Sequence, residues 1–440
     1  MISSLCIANR GEIAVRIIRT CKEMGIRTVL AHSEADRHSL AATMADEKIC
    51  IGPSDVQKSY LNQSALISAA LLADCDAIHP GVGFLSENAD FCQRVLDAGI
   101  MFVGPKPHVL KVLGNKFLSR QIAQRYGIPL LSGSGKAVNN VAECMQEAKK
   151  IGMPIILKAS AGGGGKGMRV VYNVDHISEL FPIVQKETMQ AFKDKDIYIE
   201  KYLESPRHVE VQLLADNTGK VIDLGERDCT VQQCHQKLLE ESPAPHFYKD
   251  HRQSMCDDAK KLFTSLGYEG LGTVEFLYDG KQYYFMEVNA RVQVEHPITE
   301  MCYNLDLIKL QLQIHGGEEI PFTQDEVECR GYALECRINA QEPGTVHTYV
   351  PPGGHGVRVD SFLVPGVSIT PFYDALVAKV IVYAENRMQG IEKMLRALNE
   401  YVIEGIKTNI SLQKEIIGST VFKSGRFSTH MVDELQESQV

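Results

Sequence analysis

The densest group of reactive side chains lies between residues 273 and 300. Glu275, Glu287 and Asn289 offer hard oxygen ligands of the kind that hold magnesium against phosphates. Arg291 carries a planar fork of donors that suits a small oxyanion, and Gln293 and Glu295 follow at two-residue steps. Glu295 is therefore an acid/base partner close to any anion that Arg291 holds. If extended geometry continued, Glu287, Asn289, Arg291, Gln293 and Glu295 would line one face. So many polar groups on one side are costly unless they pair or hold ions. A solvated hairpin with alternating charges is the plain alternative, and the apolar residues bracketing the carboxylates weigh against it.

A second group is rich in glycine. Pro154-Ile155-Ile156-Leu157 runs into Lys158, and Gly162, Gly163, Gly164 and Gly165 then precede Lys166 and Gly167. Uncovered backbone N–H groups in such a loop can wrap phosphate oxygens while the lysines offset their charge. A flexible surface loop would share the composition; the flanking strand and lysines favour phosphate. Nothing matches G-x-x-x-x-G-K-[ST], so this is not a Walker A loop. In Ile199-Glu200-Lys201-Tyr202-Leu203, Glu200 could read an adenine amino group between apolar neighbours, or sit on a solvated face. His208, Glu210 and Gln212 alternate with Val209, Val211 and Leu213. That polar face marks a site if turned inward and an ordinary strand exterior if turned outward.

Strands must present these groups. Thr273-Val274-Glu275-Phe276-Leu277 and Tyr284-Phe285-Met286-Glu287-Val288-Asn289 read as a hairpin turned at Asp279-Gly280. At the N-terminus, Leu5-Cys6-Ile7-Ala8 reads as a strand. Ile13, Ile17 and Cys21 follow at helical spacing with Gly25 as the stop, and Thr28-Val29-Leu30-Ala31 reads as the next strand. Ala77-Ile78-His79 and Ile100-Met101-Phe102-Val103 extend this to one parallel sheet. A dinucleotide-binding fold opens the same way, but Ala8-Asn9-Arg10-Gly11-Glu12 has a single glycine where G-x-G-x-x-G is needed. A helix is expected from near Leu110, a change of character at Gly127-Ile128-Pro129, and a small glycine-bearing region to about residue 203. Antiparallel strands mixed with helices are expected over 204–328. A strand-rich segment then runs from near Cys329 to about 382 and ends in a helix over 389–404.

Length and composition bound the function. A chain of 440 residues exceeds one ordinary core, so two to four domains are expected. A net charge of −9 argues against a general nucleic-acid or membrane-surface binder. No apolar run reaches the roughly 18 residues of a membrane helix, and no signal core precedes the first strand. The 12 cysteines include no C-x-x-C pair, which fits reduced thiols in a cytoplasmic protein.

Together these residues resemble the biotin carboxylase family of ATP-grasp enzymes over essentially the whole chain. The resemblance rests on Ile7-Ala8-Asn9-Arg10-Gly11-Glu12-Ile13-Ala14, on His79-Pro80-Gly81 with Gly83-Phe84-Leu85-Ser86-Glu87-Asn88, and on Lys158 with the glycine loop. It continues through Glu226-Arg227-Asp228-Cys229, His235-Gln236-Lys237 with Glu240-Glu241, the stretch 287–299, and Glu335-Cys336-Arg337-Ile338-Asn339-Ala340. It implies an α/β and α+β fold: a parallel α/β N-terminal domain over 1–114, an ATP-grasp domain over 115–328 with a mobile lid at about 131–203, and a strand-rich C-terminal domain over 329–440. The implied reaction is carboxylation of biotin with ATP and bicarbonate through carboxyphosphate.

The family also implies roles. Lys116, Lys158, Gly163, Gly164, Gly165, Glu200, Lys201, Leu203, His208, Gln232, His235 and Leu277 would contact ATP, with Lys237 near its terminal phosphate. Glu275 and Glu287, helped by Asn289, would hold magnesium (or manganese). Arg291, Gln293 and the Val294 backbone would bind bicarbonate, Glu295 would be the general base, and Arg337 would stabilise the biotin enolate. No Met-Lys-Met tripeptide occurs, so biotin is expected on a separate carrier protein, with a carboxyltransferase partner and a homodimer as further expectations. Three departures fall on the acceptor side or in the C-terminal domain. Val82 replaces the usual aromatic residue, Gln233-Cys234 the usual basic pair, and the stretch 343–352 is short. An acceptor other than biotin, and a non-catalytic ATP-binding subunit, are the rival readings.

Overall fold

The computed structural model describes residues 1–159, 168–192 and 196–437. The N-terminal strands β1 (Ser4–Ile7), β2 (Arg27–Ser33), β3 (Glu47–Gly52), β4 (Ala77–His79) and β5 (Met101–Phe102) form a parallel sheet ordered β3-β2-β1-β4-β5. The helix α1 (Gly11–Glu23) links β1 to β2. It ends where Gly25 takes φ +70° and the Ile26 amide reaches back to the Cys21 carbonyl at 2.8 Å. Its apolar positions are buried as their spacing requires, but so are Glu12 and Arg16. Arg16 pairs with Glu300 and Asp306, each at 2.8 Å, and so ties α1 to the middle of the chain.

The helix expected near Leu110 is in fact two, Pro107–Leu113 and Lys116–Arg125. The Asn115 side chain accepts from the Phe117 and Leu118 amides and starts the second helix afresh. Beyond it, β6 (Ile155–Ala159), β7 (Met168–Val171) and β8 (Ile197–Lys201) form a small antiparallel sheet ordered β7-β6-β8. Helices Val141–Ile151 and Ile177–Phe192 accompany it. Val138, Ile155, Leu157, Phe181 and Ile199 give this region a hydrophobic core of its own. The glycines expected at 163, 164 and 165 lie outside the described residues.

The large sheet is antiparallel and eight-stranded. From one edge it runs β13 (Tyr283–Asn289), β12 (Gly270–Tyr278), β9 (Arg207–Ala215), β10 (Val221–Gln233), β11 (Gln236–Ser242) and β14 (Tyr332–Asn339), then Leu376–Ala384 and Val357–Ser361. The strand-rich last segment therefore continues the sheet of the segment before it. The helix expected over 389–404 spans Arg387–Glu400. Val402–Glu404 is instead paired with Thr348–Val350, and helices Ile410–Gly418, Thr420–Ser424 and Met431–Glu437 follow. Among the described residues, no helix is long and apolar enough to cross a membrane.

Candidate active site

The large sheet concentrates charge at its centre. Register places Glu210 of β9 opposite Glu275 of β12, and Glu275 opposite Glu287 of β13. His208, Glu210 and Gln212 are all buried, so the polar face of β9 turns inward. Lys237 of β11 meets it. Its Nζ donates to Glu210 Oε2 at 2.7 Å, Glu275 Oε1 at 2.9 Å and Glu295 Oε1 at 2.7 Å. Arg227 donates to Glu210 at 2.6 Å, Gln212 at 2.7 Å and Thr299 at 2.9 Å. Arg337 reaches Glu295 Oε2 at 2.9 Å and, through Nε, Glu240 Oε1 at 2.5 Å. Each buried carboxylate of this cluster thus has at least one cation, the condition for keeping charge in a dry interior.

These contacts set the protonation states. Burial pushes the Glu295 carboxyl up, but Lys237, Arg337 and Arg227 outweigh it and hold it well below the usual carboxylate range. Glu275 is likewise held low, against burial, by Lys237 and His208. Burial lifts Glu240 to about 7, with Arg337 only partly opposing. Burial disfavours the charged form of Lys237, but its carboxylate partners Glu210, Glu275 and Glu295 outweigh that cost and keep it protonated.

Extended geometry stops at Asn289, and the helix His296–Tyr303 begins one residue after Glu295. The expected single face is thus replaced by a turn, yet the same residues converge. Asn289 donates to Glu275 at 2.9 Å, and Arg291 donates to Asn289 Oδ1 at 3.0 Å and Gln293 Oε1 at 3.1 Å. Glu87 holds the Arg291 Nε edge at 2.9 Å and also accepts from the Ala290 amide at 2.8 Å. Its loop needs Gly81: at φ +66°, a Cβ there would lie 2.7 Å from Asn9 Nδ2, which binds the Pro80 and Val82 carbonyls. The carboxylates of Glu275 and Glu287, opposed in register, with the Asn289 amide oxygen nearby, are a hard-oxygen donor set that fits magnesium.

At the small sheet, Glu200 is buried between Lys158 Nζ at 2.5 Å and Arg120. Lys116 lies 3.4 Å from Glu287, and Gln232 Nε2 lies 2.7 Å from His208 Nδ1. Leu203 and Leu277 are half-buried. Two expected residues stand apart from the cluster. Lys201 Nζ is bound to the Gly152 and Met153 carbonyls at 3.2 and 2.6 Å, and His235 is exposed at the β10–β11 turn.

Sequence reasoning passed over Arg120 and Lys379. Arg120 is four residues from Lys116, one helical turn away on the same face, which was a usable signal. Lys379 is the single charge in Leu376-Val377-Ala378-Lys379-Val380-Ile381-Val382. It is fully buried and donates to the Val294 carbonyl at 2.7 Å, which fixes the turn before Glu295. Glu87, Arg227 and Glu240 stood within recognisable motifs, but only the structure gives them partners.

Known proteins resemble this chain in sequence and fold. Residues 1–110 and 328–434 match the families described as biotin carboxylase, N-terminal domain, and biotin carboxylase C-terminal domain. Residues 115–323 match carbamoyl-phosphate synthase L chain, ATP binding domain. Biotin carboxylase 1 of Bacillus subtilis is 49% identical, covering 98% of this chain and 98% of its own. A Campylobacter jejuni biotin carboxylase, solved as a complex described as beta-gamma-ATP, is 41% identical with a TM-score of 0.96 over 99% of each chain. The biotin carboxylase domain dimer of Hydrogenobacter thermophilus 2-oxoglutarate carboxylase was solved with MgADP, ADP and bicarbonate. It is 40% identical with a TM-score of 0.96, covering 99% of this chain and 98% of that one. A small three-stranded domain beside a large antiparallel sheet with an acidic hairpin defines the ATP-grasp class of ligases. Within that class, the chain belongs to the biotin carboxylase family.

Proposed function

We propose that this chain carboxylates biotin with ATP and bicarbonate through carboxyphosphate, as a biotin carboxylase. The observation that carries the reading is Glu295, a fully buried carboxylate shared between Lys237 and Arg337 beside the Arg291 turn. A binding module has little use for a base so placed. A non-biotin acceptor is not favoured, because relatives named biotin carboxylase match the whole chain.

In this reading Lys116, Lys158, Glu200, Lys201, Leu203, His208, Gln232, His235 and Leu277, with Gly163, Gly164 and Gly165, enclose ATP. Lys237 leaves its carboxylates for the terminal phosphate. Arg291, Gln293 and the Val294 backbone hold bicarbonate, and Glu295 takes its proton. The bicarbonate oxygen then attacks the terminal phosphorus, ADP leaves, and carboxyphosphate breaks down to CO2 and phosphate. The released phosphate takes the proton of the biotin ureido nitrogen, Arg337 is aimed at the negative charge this leaves on the ureido oxygen, and the nitrogen then attacks CO2. Bound magnesium (or manganese) neutralises phosphate charge, and Glu275, Glu287 and Asn289 are the residues that hold it. Residues 1–114, 115–328 and 329–440 are the three domains of this reading. The lid at about 131–203 closes over ATP to exclude water. A separate carrier protein presents biotin, a carboxyltransferase uses the product, and two copies pair as a dimer. The 12 free cysteines, nine of them buried, support a cytoplasmic setting.

Phosphate release from ATP and magnesium, measured with and without bicarbonate and free biotin, tests the reading. Turnover that needs bicarbonate and rises with biotin is the expected result; no turnover in any mixture overturns it. Lys158→Met should raise KM for ATP roughly 10–100-fold, the worth of a charge-assisted bond of about 1.5–3 kcal/mol, and leave KM for bicarbonate unchanged. An unchanged KM for ATP would remove Lys158 from the nucleotide site.

A further inference from the structure

Antiparallel pairing of β11 and β14 sets Glu240 opposite Glu335. Directly opposed residues send their side chains to the same face, and Arg337, two residues along β14, shares it. Lys379 lies opposite Arg337 on the next strand, where its Nζ is engaged by the Val294 carbonyl at 2.7 Å and by Glu12 at 3.2 Å. Glu240 and Glu335 are both wholly buried. Arg337 binds Glu240 Oε1, but Glu240 Oε2 has no hydrogen-bond partner among the described residues, and neither has either carboxyl oxygen of Glu335. A bare carboxylate is expensive in a dry interior, whereas a neutral carboxyl is itself a donor. The orphan oxygen of Glu240 is the acceptor that such a donor needs.

We infer that Glu335 is a neutral carboxylic acid that donates to Glu240 Oε2, and that Glu240, so held, is the positioning residue that aims Arg337. The inference rests on the role of Arg337 proposed above. The surrounding charges agree with it. Burial pushes the Glu335 carboxyl well above the usual range, and Lys379 and Arg337 do not offset it because Glu240 and Glu295 push the same way as burial. Burial likewise lifts Glu240 to about 7, against Arg337 and Lys237 and with Glu295 adding to the rise. A residue poised there depends on every donor it has. Without Glu335, the charged form of Glu240 loses a hydrogen bond, takes up a proton at higher pH, and releases the Nε edge of Arg337.

Two variants, Glu335→Gln and Glu335→Met, separate this from a merely structural role. Biotin-dependent turnover is measured across pH, alongside bicarbonate-dependent ATP cleavage without biotin. Glutamine is neutral and keeps a donor, so turnover should stay within about twofold and the acidic limb of the profile should not move. Methionine has no donor, so biotin-dependent kcat should fall about tenfold at neutral pH and the limb should rise by about one unit. Biotin-free ATP cleavage and both KM values, for ATP and bicarbonate, should hold in each. A tenfold loss in Glu335→Gln, or a limb moved to lower pH, would show that Glu335 works as a charged carboxylate and overturn the inference. So would a Glu335→Met enzyme that behaves like the parent. If Glu335→Met does not fold, the glutamine variant decides alone. Failure of the parent to cleave ATP with bicarbonate would instead overturn the functional reading.

Discussion

Glu295→Gln should lower bicarbonate-dependent ATP cleavage by about 10²–10⁴-fold in kcat, the usual worth of a positioned general base. ATP binding should survive, because apart from Lys237, which keeps two other carboxylates, the side chain pairs with none of the residues that would enclose the nucleotide. The fold should survive too. Lys237 keeps Glu210 and Glu275, Arg337 keeps Glu240, and the amide fills the same space. The resting geometry adds a condition. Held well below the usual carboxylate range by Lys237, Arg337 and Arg227 against burial, Glu295 is a poor base as it stands. In the proposed mechanism it would become a useful one only when a competing anion, such as a terminal phosphate, draws Lys237 away. Base strength would then be coupled to nucleotide occupancy, and unproductive deprotonation without ATP would be suppressed. Titration of ATP and bicarbonate against phosphate release checks this, and a variant that keeps more than a tenth of parental kcat would end the assignment.

Much of this site was legible because its strands alternate. Period two put Glu275 among valine and phenylalanine, and Asp279-Gly280 marked the turn that sets Glu275 opposite Glu287. The parallel N-terminal sheet was legible for the same reason, as short apolar runs separated by helical spacing. The direction of the β9 polar face was not. Period two says that His208, Glu210 and Gln212 share a face, but Val209 and Val211 are buried as well, so both faces are covered. Only the neighbouring strand supplies Lys237. Partners fixed by tertiary packing were hidden for the same reason. Lys379 reads as a flaw in an apolar strand until Glu12, in a helix hundreds of residues away in sequence, is seen beside it. The apparent independence of the last segment also came from sequence order, since β14 pairs directly with β11 and carries Arg337 to Glu295. Exposure of His235 and the backbone engagement of Lys201 were beyond any motif.

Lys237→Met removes a cation on which three buried carboxylates converge, and its effect should be the largest of any single change in the cluster. Glu210 keeps Arg227 and Glu295 keeps Arg337, while Glu275 is left with His208 Nε2 at 3.0 Å and the side-chain amides of Asn289 and Gln293. Stranding buried charge in this way costs about 3–5 kcal/mol. ATP-dependent turnover should fall below detection, since both the terminal-phosphate contact and the coupling to Glu295 are lost. The sign of the pH response distinguishes this cause from a packing defect. In the parent, Glu275 and Glu295 are depressed, so their contribution to stability is present above the unfolded carboxylate pKa of about 4.3 and is lost as pH falls through their folded values. Glu210, raised by burial, works in the opposite direction. Without Lys237, burial and mutual repulsion raise all three. The folded variant then binds protons that the unfolded chain has released, and its stability declines as pH rises above about 4.3. Denaturant melts at about pH 5.5 and pH 8 should therefore show the deficit relative to the parent widening with pH. A deficit of the same size at both values would mean that the methionine merely packs badly, and that Lys237 does not govern the ionisation of its neighbours.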